Sequence, residues 1–143
     1  MTLWPTDEVV AVAWLKAVVP GGLVATVLPS DNSSWSASGF VQVGLSGGDS
    51  HPDFGLESPV VGLDFWAVNV GGSQAPWGKA EQLAMVVRQA CLSGVQRDVS
   101  LPAAFGGARV LQAWMLGKPR RLRGDPAGYA HFTQDMQFRW VGL

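Results

Sequence analysis

Twelve residues near the C-terminus, Ala130 to Val141, alternate apolar with polar, and that alternation limits what the chain can become. Phe132, Gln134, Met136, Phe138 and Trp140 fall on one side, while His131, Thr133, Asp135, Gln137 and Arg139 fall on the other. A period of two marks a strand with one covered face and one wet face. Pro59 to Asn69 repeats the pattern, with Val61, Leu63, Phe65 and Ala67 on one face and Gly62, Asp64 and Trp66 on the other. Strands of this kind build a mainly antiparallel sheet, and something must lie on its apolar side.

Two helical segments can supply the cover. Thr6 followed by Asp7 and Glu8 reads as a helix start, with a capping hydroxyl and then acids at the positive end of the dipole. This helix should run to about Val18, because Pro20 biases Val19 away from helix. Its interior, Val9 to Leu15, is apolar nearly all the way round, where a surface helix would show one stripe. Cover is therefore expected from the sheet and, in an assembly, from a neighbouring subunit. The second helix lies between Pro76, a first-turn residue, and Gly94, a C-terminal cap. Ala80, Leu83, Ala84, Val87, Ala90 and Cys91 form its apolar stripe.

The spacing predicts further strands at Leu23–Leu28, Gly39–Leu45 and Arg109–Leu116. Polar or Gly-rich loops are expected at Ser30–Ser38 (with Trp35 in the middle), at Ser46–Glu57 and at Gly117–Tyr129. The expected fold is one α+β domain over residues 1–143. It has a mixed, mainly antiparallel sheet of four to five strands, with two helices packed on one face.

Chemistry is hard to find along the chain. Cys91 is the sole cysteine, which excludes an intrachain disulfide framework and a cysteine-rich zinc site. It falls on a helical stripe and reads as a small buried hydrophobe. His51 and His131 are the only imidazoles, and neither stands in a nucleophile–base motif. Asp49, His51 and Asp53 are spaced two apart and could converge on a metal. Their setting among Gly47, Gly48, Pro52 and Gly55 reads better as a solvated loop. The Gly pairs at 21–22, 71–72 and 106–107 match no phosphate or dinucleotide motif. No catalytic residue, metal or cofactor is expected. No run approaches the roughly 18 apolar residues needed to span a bilayer, and the N-terminus has no basic start to a signal peptide. A soluble protein made in a reducing cytoplasm, without membrane contact, is the expectation.

Assembly is better signalled. Of 143 residues, 48% are hydrophobic and only 15% charged, too few for an easily solvated monomer. Residues 1–64 carry a net charge of −6 and residues 65–143 a net charge of +5. Such asymmetry fits a polyanion contact or complementary faces, or simple neutralisation within one domain. Lys118, Arg120, Arg121 and Arg123 crowd into the Gly117–Tyr129 segment, as a solvated hairpin or as an assembly loop. Among seven tryptophans, Trp14 and Trp140 look like core. Trp4, Trp35 and Trp77 stand in loops or at element starts, where indoles serve interfaces or fold back over the sheet ends.

Several segments together resemble a known family. They are the first helix, Glu8 to Lys16; the Leu23–Pro29 segment; the strand Pro59–Ala67; the helix Lys79–Ala90; and the final strand pair, joined by Arg121–Phe132 and closing in Met136–Phe138. In this order they resemble the tail terminator, or tail-completion, proteins of long-tailed bacteriophages. The resemblance implies a non-enzymatic virion protein, assembled in the host bacterial cytoplasm into a ring homo-oligomer, a hexamer. That ring caps the head-proximal end of the tail tube and stops its polymerisation. Its implied partners are its own copies, the tail-tube protein, the head–tail connector protein and passing DNA held without sequence specificity. Lys118, Arg120, Arg121 and Arg123, with Trp4, Trp35 and Trp77, would be the assembly residues. A neck or head–tail connector adaptor, or a tail-tube subunit, would keep the same assembly logic. A ligand-binding domain or enzyme would need convergent polar groups that the sequence does not show.

Overall fold

The computed structural model describes residues 2–51 and 55–143. The chain runs α1 (Asp7–Val18), β1 (Val24–Ala25), β2 (Phe40–His51), β3 (Leu56–Val68), α2 (Trp77–Leu92), β4 (Arg97–Val99), β5 (Ala108–Leu122) and β6 (Tyr129–Gly142), with short 3-10 turns at Pro20–Gly22 and Asn32–Ser34. The sheet order is β1-β2-β3-β6-β5-β4. Among these six strands β1 and β2 pair in parallel and the other four pairings are antiparallel; outside the strands, Leu3 makes an isolated parallel bridge to Phe105. The α+β class and its mainly antiparallel sheet agree with the sequence reading, but the described residues form six strands rather than four or five. The extra one is β4, three residues whose short pattern carries no periodicity.

α1 begins and ends where its signals place it, whereas Pro76 takes the N-cap place of α2 rather than its first turn. Thr6 Oγ1 accepts the Val9 N–H at 3.3 Å, and the Val19 N–H closes α1 on Leu15. Val10, Ala11, Trp14 and Leu15 of α1 share one core with Ala80, Leu83, Ala84 and Val87 of α2. That core rests on Val61, Leu63, Phe65 and Ala67 of β3 and on Phe132, Met136, Phe138 and Trp140 of β6. Both helices therefore cover one face of the sheet. Val9, Val12 and Ala13 on the outer side of α1 are only half-buried. They line an open groove of about 410 Å³ beside Val24 and Pro102.

Expected element bounds shift at two places. The Ser46–Glu57 stretch mostly continues β2 and β3, with a bulge between Leu45 and Gly47 that absorbs Ser46. The expected Leu23–Leu28 strand shrinks to two residues, because only Val24 and Ala25 find partners on β2.

Candidate assembly interface

The basic run is a strand before it is a loop. β5 continues to Leu122, pairing Arg120 with Thr133, Arg121 with Phe132 and Leu122 with His131. The Gly and Pro that suggested a loop are housed in a bulge between Leu116 and Arg120. β4 covers only Ala108–Val110 of β5, so the distal half of β5 is a sheet edge, where a proline is tolerated. Gln134, buried in the core, donates from Nε2 to the Gly117 carbonyl at 2.9 Å and holds the bulge from beneath.

The true turn, residues 123–128, is fixed from both sides. Gly128 has φ +92°, and a Cβ there would sit 2.6 Å from the Gly72 carbonyl oxygen. The Asn69 N–H donates to the Gly128 carbonyl at 2.9 Å. On the face of the sheet opposite the helices, His131 Nε2 lies 2.7 Å from Asp64 Oδ1 and Nδ1 lies 3.2 Å from Asp125 Oδ2. Burial favours the neutral imidazole, yet hydrogen bonds and charge from Asp64 and then Asp125 outweigh it and raise the His131 pKa. His131 stands on the polar face of β6, as the alternation predicts. What sequence could not supply is the register that sets it beside Asp64, or the turn that brings up Asp125.

The proposed assembly residues divide. Lys118, Arg120 and Arg123 are exposed and make no ion pair among the described residues. Arg121 points to the helix-covered side, its guanidinium 4.4 Å from the Trp77 ring centre and 5.7 Å from Phe132. Trp77, half-buried at the start of α2, packs edge-on against Phe132. Trp35 is a correction: at 1% exposure it is core, not interface. Asp31 accepts the Ser33 N–H and folds the preceding residues into a 3-10 turn. Trp35 then joins Phe40, Trp66 and Val68 in a second small core on the face opposite the helices.

Trp4 stays at the surface, 58% exposed, with its indole 5.6 Å from that of Trp140. It lies over Gly142, where a Cβ would come within 2.5 Å of the ring. Trp4, Trp140, Leu45, Asp7, Glu8 and Glu57 line a cleft of about 480 Å³ at the end of the sheet away from the basic turn. Asp7 accepts from Trp140 Nε1 at 2.9 Å, and Glu8 accepts the Leu45 N–H at 3.1 Å. Burial pushes the Asp7 pKa up, the Trp140 bond opposes this, and the nearby Glu57 adds to it. Sequence reading missed this acidic, aromatic cleft, because its residues come from the first 8, the middle and the last few positions of the chain.

The fold is shared with a chain of a solved virion. That structure is described as the virion of a native gene transfer agent particle; the two chains are 20% identical, with a TM-score of 0.54 over 95% of this chain and 90% of the other. No family model and no curated protein matches the chain in sequence. At this identity the likeness is one of fold.

The remaining candidates stay apart from this framework. Asp49 and His51 lie on the exposed distal part of β2, and Asp53 is outside the described residues. Among the described residues, no group of three metal-capable side chains converges. No helix among them is long and apolar enough to cross a membrane. Burial raises the Cys91 thiol to about 11, which agrees with its place on the α2 stripe.

Proposed function

We propose that this chain is a structural subunit of a phage or phage-like virion, and that it forms the ring capping the head-proximal end of the tail tube. The observation that carries the reading is the likeness of nearly the whole chain to one from a gene transfer agent virion. The order of segments that resembles tail terminators gives the finer assignment. Two local clusters support it: Asp7, Glu8 and Glu57 gather in the cleft at one end of the sheet, and the exposed Lys118, Arg120 and Arg123 at the other. A subunit that meets its neighbours through unlike surfaces makes heterologous contacts, which can close into a ring. In this reading the ring, a hexamer, stops tube growth, docks the connector and passes DNA without reading its sequence. The chain performs no catalysis. The cations serve contacts between proteins, since fixed positive charge lining a channel would hold back the passing phosphates.

Electron microscopy of the purified chain mixed with polymerising tube protein tests the assignment. The expected result is shorter tubes, each ending in one ring of added density. Tubes of unchanged length with bare ends would overturn it. Binding to the connector alone would point instead to a neck adaptor.

A further inference from the structure

We propose that the cleft between Trp4, Trp140 and Leu45, bordered by the carboxylates of Asp7, Glu8 and Glu57, receives the basic β5–β6 hairpin of a second copy of this chain. The inference rests on the ring reading above and names the contact that would join one subunit to the next.

Position comes first. β6 begins at the basic hairpin with Tyr129 and reaches the cleft at Trp140. At roughly 3.3 Å per strand residue, the two surfaces stand about 36 Å apart. A chain cannot fill its own cleft over that distance, whereas a neighbour can. Because donor and acceptor surfaces lie at opposite ends of one sheet, each copy both gives a hairpin and receives one. That arrangement is heterologous and suits a closed circle.

Charge comes second. Lys118, Arg120 and Arg123 project from the hairpin end without an ion pair among the described residues. The cleft offers three carboxylates, and the Asp7 and Glu8 oxygens already engaged in hydrogen bonds each leave a second oxygen for an incoming donor. Burial, and to a lesser degree the neighbouring charge of Glu57, raise the Asp7 pKa against its Trp140 hydrogen bond, and an arriving guanidinium would offset both. The exposed face of Trp4 adds the surface on which a guanidinium stacks.

Rigidity comes third. The hairpin is held by the Gly128 contact and by Asp125 on His131, so little ordering remains to be done on docking.

The test uses two paired charge reversals, Glu8→Lys with Glu57→Lys in the cleft and Arg120→Glu with Arg123→Glu in the hairpin. Sedimentation is measured at low and high salt, alone and with tube protein. Each reversed chain should self-associate at least about ten-fold more weakly than the original. Mixing the two reversed chains should restore association, because each then offers what the other lacks. A photo-crosslinking benzophenone side chain placed at Leu45 gives a second readout on an otherwise unaltered chain; it should join residues 118–129 of another copy. Failure of the mixture to associate while both chains keep native circular dichroism would overturn the proposal, as would crosslinks to any other segment or none at all. Tube capping that survives both reversals would sink this contact and spare the ring reading. Association through the cleft without capping would do the reverse.

Discussion

The imidazole of His131 lies flat on the indole of Trp66, with ring centres 3.8 Å apart and planes 18° from parallel. The stack places both ring nitrogens at the edge, where Asp64 and Asp125 meet them. A cation held this way makes the stability of the turn depend on pH. The folded-state pKa of His131 is raised above its ordinary value. Its contribution is therefore complete below about pH 6.5, where the unfolded chain is protonated too, and is lost as pH rises through the folded pKa. Relative to His131→Gln, the original chain should be about 1–3 kcal/mol more stable at about pH 6, with the gap narrowing on the alkaline side. Urea titrations of both chains across that range measure it. A gap that grows with pH would mean that the histidine is held neutral.

Trp35 separates two meanings of a loop tryptophan. Its ring is 6.1 Å from both Phe40 and Tyr129, and its N–H donates to the Pro29 carbonyl. Trp35→Ala should cost about 3–5 kcal/mol in the lone subunit, a large part of the ~5–15 kcal/mol that holds a domain together. An interface residue would cost the lone subunit almost nothing, so one denaturation curve decides.

The parts of the fold legible in sequence are those encoded locally. Thr6 with Asp7 and Glu8 marks the start of α1, and the alternation around Phe65 and Phe138 names the face that the helices cover. Elements decided by their partners were not legible. Gly117 and Pro119 signal a break, yet β6 is available to pair on their far side, so the strand resumes after a bulge. The Ser30–Ser38 segment is polar, yet Asp31 and Asn32 bend it and fasten it to Tyr129, which carries Trp35 inward. The candidate site shows the same division. The cations of the β5–β6 hairpin are neighbours in sequence and were visible at once. The cleft joins Trp4, Glu57 and Trp140, and only the fold makes them neighbours.

Cys91 should resist alkylation. With its thiol raised to about 11 by burial, its thiolate fraction at about pH 8 is of order a hundred-fold below that of an ordinary cysteine. Iodoacetamide modification followed by mass spectrometry should therefore run about a hundred-fold slower in the native chain than in urea. Equal rates would place the thiol in solvent and break the packing assigned to the apolar stripe of α2.

Arg121 differs from its basic neighbours, and the difference can be measured. Its guanidinium over Trp77 ties the distal end of β5 to the first turn of α2, an exposed cation–π contact of about 0.5–1 kcal/mol. A double-mutant cycle of Arg121→Gln and Trp77→Leu should return coupling of that size in the isolated subunit, while Arg120→Gln with Trp77→Leu should return none. The consequence reaches assembly. Replacing Arg121 loosens the hairpin's footing as well as removing a charge, so its effect on self-association should exceed that of Arg120→Gln and should include a small loss of stability. Should Arg121→Gln instead weaken association by no more than Arg120→Gln, with unchanged stability, the stack would be a bystander. The hairpin's rigidity would then rest on Gly128 and the Asp125–His131 contact alone.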